Sequence, residues 1–460
     1  MTSFRGLVLP ALAAVLTVAA GASVPLPAAE TGTSSVASPA TSVRGEIRNW
    51  QSWRFGMFIH WGPVSLTGKE ISWSRANSNT NSPNHGPVPV EVYDNLYRQF
   101  NPTNFDAPEW ITVAKDAGMK YMVFTAKHCD GFLFWDSKAD PYTIMKSPYG
   151  RDVCAQLAKA AAQQGMPLGW YYSPMDWRDP DCRSGNNDRF VAKMQAELKE
   201  LLTGYGPIGI LWFDTDARPA PWHPASTYRL VRELQPGLLI NNRLEISTGK
   251  EWTHQGGPLR ENVDFYTPEQ KIGDYDDRYP WETCMTLGTQ WSWKPDDKIK
   301  SASEVLGILA RTAGGDGNLL LDVGPMPDGR IEPRQVEVLR QVGNWLKVNG
   351  ESIYGTRGGP YMPTERYAAT RKGEDIYLHL LKLENGTVVL PSLPVKIAEA
   401  SLLGGGKVTA DQAPGSLTIR LDSPAGSASG PGHPVVRLRI KGNALKTPPI
   451  QPSSKTTTHP

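Results

Sequence analysis

The residue best placed to do chemistry in this chain is Asp214. It closes the apolar run Ile208-Gly-Ile-Leu-Trp-Phe213, the pattern of a buried strand. A carboxylate at the end of such a strand needs a partner or a purpose, because an unpaired charge is costly to bury. The ordinary explanations are a helix N-cap or an ion pair with Arg218; the chemical one is a nucleophile or base at the mouth of a strand. Retaining glycoside hydrolysis would need a second carboxyl, with one group attacking carbon while the other, roughly 5 Å away, protonates the departing oxygen. Glu269 follows the strand-like run Val263 to Tyr266 and ranks first for that part. Glu282, beside Trp281, ranks second, and Glu245 and Glu251 sit in a longer loop. His60 and His128 also follow strand-like runs, and a neutral imidazole can donate to one hydroxyl and accept from another. They show no metal-ligand spacing and no third ligand, so neither a metal nor an organic cofactor is implied. Arg243 fits either a core-edge ion pair or a grip on a hydroxyl or carboxylate. Trp73, Tyr171, Trp212 and Trp291 are candidates for core packing or for flat walls against a half-polar ligand.

These residues are far apart in sequence, so the fold must bring them together. From about Arg48 to Arg357, short apolar runs alternate with helix-like stretches, as in parallel strands with crossover helices. The strand candidates are Phe55–His60, Tyr121–Thr125, Leu168–Tyr172, Ile208–Phe213, Leu238–Asn241, Val263–Tyr266, a weak one at Thr283–Thr286, and Leu319–Val323. Eight strands close a (β/α)8 barrel, whose active site lies at the C-terminal strand ends. The candidates follow those ends: His60-Trp61-Gly62, Lys127 to Gly131, Tyr172-Ser173, Asp214, Asn242-Arg243, Pro268-Glu269 and Asp322. A doubly wound sheet would also gather ligands at strand ends, but no Gly-rich phosphate loop follows the first strand. Asp106-Ala-Pro-Glu109 signals one helix start, Asp152 another, and a long amphipathic helix is expected from about Asp188 to Leu202. Between 358 and 445 the pattern becomes short alternating strands, predicting a C-terminal β-sandwich domain. Residues 446–460, rich in Pro, Lys, Ser and Thr, are expected to be a disordered tail.

Composition narrows the class further. The 460 residues are 40% hydrophobic and carry a formal net charge of +2 without a basic run, so no nucleic acid or anionic membrane is expected as partner. Fifteen Trp and 16 Tyr are a large aromatic supply. Residues 1–22 read as a signal peptide, with Arg5 before the apolar stretch Leu7 to Ala20, and 23–47 as a flexible spacer. A secreted or periplasmic protein follows, with no membrane insertion after cleavage. The cysteines, Cys129, Cys154, Cys182 and Cys284, have neither disulfide-framework nor metal spacing.

The runs Phe55-Gly-Met-Phe-Ile-His-Trp-Gly-Pro63, Tyr121 to Phe132, Gly169-Trp-Tyr-Tyr-Ser173, Leu211-Trp-Phe-Asp214, Trp281 to Thr286 and Leu319 to Gly329 resemble, in order, the motifs of the α-L-fucosidases of glycoside hydrolase family 29. The resemblance covers nearly all of the chain after the spacer and implies a barrel followed by a β-sandwich. It also implies that Asp214 is the nucleophile, and that Asp264-Phe-Tyr-Thr-Pro-Glu269 carries the acid/base at Glu269. By the same likeness His60, His128, Tyr171, Trp212 and Arg243 line a fucose pocket, Trp291 supplies an aromatic residue, and Glu70 and Trp73 stand for a Glu-Trp pair. Cys129 stands where many relatives have a second His. The implied partner is a fucosylated glycan and the implied reaction is retaining, exo-acting removal of terminal α-L-fucose. The alternatives are a catalytically inactive fucose-binding protein on the same scaffold, or a retaining enzyme for a related sugar such as galactose.

Overall fold

The computed structural model describes residues 44–76, 86–182, 187–215, 222–245, 258–422 and 431–452. Seven parallel strands form its curled main sheet: β1 (Phe55–Ile59), β2 (Met122–Lys127), β3 (Leu168–Tyr172), β4 (Ile210–Phe213), β5 (Leu239–Ile240), β6 (Glu282–Thr286) and β7 (Asn318–Val323), in the order β5-β4-β3-β2-β1-β7-β6. The remaining gap, between β5 and β6, is bridged by the segment expected as an eighth strand. It pairs in parallel through Asn241 with Phe265 on one side and through Tyr266 with Trp281 on the other. This segment is therefore not a full strand. Pro268 offers a carbonyl but no N–H, so the ladder is interrupted there and resumes only as a single bridge between Glu269 and Cys284.

Period-two alternation divides every strand between two cores. Inward residues, among them Phe58, Tyr121, Val123, Tyr171, Trp212, Phe265, Cys284 and Leu320, fill the barrel. Outward residues such as Met57, Phe124, Trp170, Leu211, Phe213 and Leu321 pack under the surrounding helices. Gly56 faces inward where a Cβ would lie 2.4 Å from the Tyr121 ring, so its lack of a side chain makes room for that ring. The helices start as their sequence signals require: the side chain of Asp106 accepts from the Glu109 amide and that of Asp152 from the Ala155 amide.

The expected spacer 23–47 ends earlier than its composition suggests, since Gly45–Trp53 is a helix. Ile47 and Trp50 of this helix enter the barrel interior from below, and the Trp50 ring lies 4.6 Å from that of Phe265. Arg44 donates to the Leu238 carbonyl and to Asp264, fixing the helix against the N-terminal strand ends. Residues 1–43, which include the expected signal peptide, lie outside the described residues.

Beyond the barrel, two antiparallel sheets form the expected sandwich. One contains β8 (Arg357–Gly358), β9 (Tyr367–Lys372), β10 (Asp375–Leu380), β12 (Ile397–Leu402) and β15 (Val435–Ile440); the other contains β11 (Thr387–Pro391), β13 (Val408–Ala413) and β14 (Ser416–Leu421). The boundary expected between 357 and 358 falls inside β8. The tail expected to be disordered from 446 is ordered at its start. Ala444–Lys446 form a 3-10 turn and Ile450 pairs with Tyr361, because buried Ala444 and the partly buried Ile450 pack on the sandwich core.

Candidate active site

Asp214 and Glu269 meet at a single nitrogen. Arg243 Nη1 donates to Asp214 Oδ1 at 2.9 Å and to Glu269 Oε2 at 2.8 Å. Two oxygens this close to one atom are no more than about 6 Å apart, below the roughly 6.5–9.5 Å that separates the carboxyls of inverting glycosidases. The guanidinium is itself held from behind: Nε donates to Thr267 Oγ1 at 2.8 Å and Nη2 to the Thr267 carbonyl at 2.9 Å. Burial acts to lower the pKa of Arg243, but Glu269 and then Asp214 outweigh it, so the group is held above its ordinary value and permanently charged. Arg218 and Glu251, raised above as a partner and as a rival carboxyl, lie outside the described residues.

Strand alternation explains how these side chains come together. Trp212 and Asp214 share the inward face, as do Phe58 and His60. Asn241 locks the end of β4 by accepting from the Phe213 amide at 2.9 Å and donating to the Phe213 carbonyl at 2.8 Å, immediately before Asp214. Asp214 Oδ2 accepts from the Tyr171 hydroxyl at 2.9 Å. Tyr171 stacks between His128 and Trp212, with centroids 5.3 and 5.6 Å away and interplanar angles of 1° and 17°. Burial, reinforced by Asp214, keeps the Tyr171 hydroxyl protonated and therefore a donor.

The mouth of the barrel holds a cavity of about 400 Å3, lined by His60, Trp73, His128, Tyr171, Trp212, Asp214, Arg243, Glu269 and Trp291 together with residues that the sequence did not single out. Those are Phe58, Met175, Thr215, Gln270 and Cys284, with Cys129 also on the wall. Phe58 and Cys284 were findable from alternation, being two residues from His60 and Glu282; Met175 carries no such signal. His128 Nδ1 pairs with Ser72 Oγ at 2.5 Å, and burial pushes its pKa down to about 3, so the ring is neutral. His60 Nδ1 lies 2.7 Å from Asp322 Oδ1. Trp73 stands at the rim, 40% exposed and edge-on to Trp177.

Glu70 does not line the cavity. Its Oε2 accepts from the Trp291 amide at 2.9 Å and its Oε1 from the Ser292 amide at 3.2 Å and the Ile71 amide at 2.9 Å, so it fixes the loop that carries Trp291. Glu282, the second choice for proton transfer, is fully buried beneath the cavity floor, where it accepts from Trp212 Nε1 at 3.0 Å and from the Tyr121 hydroxyl. It has no path to a ligand. Cys129, Cys154, Cys182 and Cys284 are all buried, and none is joined in a disulfide. Among the described residues no cluster of three His, Cys, Asp or Glu side chains could hold a metal ion.

Two carboxyls whose facing oxygens lie within about 6 Å of each other, bridged by one arginine over aromatic walls at the mouth of a parallel barrel, are the arrangement of a glycoside hydrolase of the double-displacement type. The α-L-fucosidase family profile matches residues 28–351, and the chain belongs to that family. It is 28% identical over 390 residues to an α-L-fucosidase of Dictyostelium discoideum, covering 76% of this chain and 82% of that one. It is 29% identical over 385 residues to human plasma α-L-fucosidase, covering 77% and 80%. Among solved structures it is similar to α-L-fucosidase isoenzyme 1 of Paenibacillus thiaminolyticus, with 31% identity, a TM-score of 0.75, and 86% of this chain and 99% of that one covered. A family 29 α-L-fucosidase of Bacteroides thetaiotaomicron, trapped as a covalent intermediate with 2-fluoro-fucosyl fluoride in a Glu-to-Gln mutant, is 26% identical with a TM-score of 0.76 and 87% and 97% coverage.

Proposed function

We propose that this chain is a retaining, exo-acting α-L-fucosidase in which Asp214 attacks the anomeric carbon while Glu269 protonates the leaving oxygen. The observation that carries this reading is the bridge of Arg243 Nη1 to both carboxylates. In the second half-reaction Glu269 takes the proton of a water that attacks the fucosyl ester on Asp214, returning both carboxyls to their starting state. Arg243 and the Tyr171 hydroxyl aim Asp214 before substrate arrives, so little reorganisation is needed at the transition state. The mixed lining suits fucose, whose C6 methyl needs an apolar wall and whose hydroxyls need paired donors and acceptors.

The substrate is a glycan with a terminal α-L-fucosyl residue, bound through His60, His128, Tyr171, Trp212, Arg243 and Trp291, with Trp73 at the rim where the rest of the glycan leaves. Glu70 contributes by holding the Trp291 loop. The Leu7 to Ala20 stretch supports export to a secreted or periplasmic location; no helix among the described residues is long and apolar enough to cross a membrane. Incubation with 2-fluoro-fucosyl fluoride followed by peptide mass mapping should place the label on Asp214, and proton NMR should show α-L-fucose as the first anomer released. A label elsewhere, or the β-anomer first, would overturn the assignment.

A further inference from the structure

Asp322, on β7, faces the barrel interior as the register partner of Phe58, and its side chain is 1% exposed. Oδ1 lies 2.7 Å from His60 Nδ1, whereas Oδ2 is buried and has no hydrogen-bond partner among the described residues. Among the described residues no Lys or Arg forms an ion pair with this carboxyl. Arg243 is committed to Asp214 and Glu269, and Lys127 to Glu197. The other charge acting on it is the Glu70 carboxylate, which is negative. The charged and titratable groups acting on His60 are His128 and Arg243, both of which oppose a positive charge on its ring.

A buried carboxylate facing a neutral imidazole would leave one uncompensated negative charge, which is the arrangement a low-dielectric interior disfavours most. Three arrangements leave the pair neutral overall. In the first the carboxylic acid donates through Oδ1 to His60 Nδ1; in the second that proton has moved to Nδ1 and an ion pair results; in the third the acid proton sits on Oδ2 while Nδ1–H donates to Oδ1. The third leaves a buried O–H donor with no acceptor, because Oδ2 faces no hydrogen-bond partner among the described residues, a cost the first two avoid. Those two share one property: the remaining ring nitrogen, Nε2, carries a hydrogen. Nε2 has no partner among the described residues, and the ring lines the cavity, so it is the atom left to meet a ligand.

We propose that Asp322 is a positioning residue that holds His60 with a hydrogen on Nε2, making this imidazole a fixed hydrogen-bond donor toward a sugar oxygen rather than an acceptor. The inference rests on the fucosidase reading only for the identity of that oxygen. The direction of burial effects agrees with it: burial, then Glu70, raises the Asp322 pKa well above the ordinary carboxylate value against the opposing pull of the His60 amide, and burial lowers that of His60 well below 6.5, so both groups are pushed toward their uncharged forms. His128 need not share this polarity, because its Nδ1 partner is a hydroxyl that can rotate to donate or accept.

The test uses the full chain labelled with 15N at histidine, with His60→Gln to assign the resonance. Long-range proton–nitrogen correlation at pH 7 on the resting protein should show His60 Nε2 protonated, and a neutral ring protonated at Nδ1 alone would overturn the proposal. In Asp322→Leu, which removes the partner, the His60 signal should shift toward a mixture of tautomers and L-fucose should inhibit about threefold to tenfold more weakly, the scale of one hydrogen bond. An unchanged tautomer in folded Asp322→Leu would also overturn it. If the wild type carries the Nε2 hydrogen yet neither binds nor releases fucose, the tautomer assignment stands and the fucosidase reading falls.

Discussion

Neutralising the two active-site carboxylates together should cost far more stability than the two separate changes suggest. Arg243 is 1% exposed, whereas the side chains of Asp214 and Glu269 are 25% and 31% exposed. With both carboxyls ionised and no substrate bound, at an effective dielectric of about 20, each attracts the guanidinium by about 4 kcal/mol across ~4 Å, and the two repel each other by about 3 kcal/mol across ~6 Å. Either Asp214→Asn or Glu269→Gln removes one attraction and the repulsion with it, so each single change should cost only about 1 kcal/mol. Removing both leaves a buried cation facing neutral acceptors, and the loss should approach 4–5 kcal/mol, the range seen when a buried pair is broken. Equilibrium unfolding in urea of the wild type, both single variants and Asp214→Asn/Glu269→Gln closes a double-mutant cycle. An excess loss of about 2–3 kcal/mol in the double variant is expected. Additive losses, or a double variant more stable than wild type, would show that Arg243 is not held by these carboxylates.

Other outcomes follow from single contacts. Tyr171→Phe removes the hydroxyl that donates to Asp214 Oδ2 and should lower kcat on an aryl fucoside by about 10- to 100-fold, the worth of a hydrogen bond to a charged acceptor, with a near-unchanged melting temperature. Glu282 is an acid whose pKa burial raises to about 7, so the stability it supports is complete below its unfolded value of 4.5 and is lost as pH rises through about 7. Glu282→Gln should therefore melt close to wild type at pH 5 and be the more stable protein at pH 8, by an amount on the order of 3 kcal/mol; a gap that does not open with pH would refute this. His379 and His433, 3.0 Å apart and packed on Trp345, are bases whose pKa burial lowers, that of His379 to about 4. The unfolded chain takes up protons first, so stability should fall as pH drops from 6.5 toward 4, and a His379→Gln/His433→Gln variant should show a shallower loss by thermal melts at each pH.

How far the fold was legible depended on whether its determinant was local. Leu168–Tyr172 is a strand over the residues its pattern predicts, the region after 358 forms short strands as its alternation requires, and Asp106 and Asp152 cap helices as expected. The segment Val263–Tyr266 was read as a strand because its apolar pattern is right, but pairing depends on neighbours, and those neighbours include prolines. Windows rich in Pro, Ser, Thr and Lys hid isolated anchors such as Ile47 and Ile450, whose value comes only from the surfaces they meet. In the site, strand-end position found His60, His128, Asp214, Arg243 and Glu269, all of which line one cavity. What sequence could not distinguish was the part each plays within a shared neighbourhood. Glu70 and Glu282 are acidic residues like Glu269, yet backbone amides hold one and the cavity floor covers the other. Nor does spacing reveal that one guanidinium nitrogen joins residues 214 and 269, since that bond depends on how Thr267 holds the arginine.

The helix Gly45–Trp53, fixed by Arg44 against the floor of the barrel, determines which way the enzyme looks. The described chain enters on the face opposite the catalytic mouth. A tether attached at the start of this helix, whether a surface linkage or a fused partner, would hold the protein with its mouth turned outward and open to branched glycans. A tether through a loop that follows a barrel strand would turn the same mouth against its support. For an immobilised form of this enzyme, the choice of attachment end is a choice of substrate access.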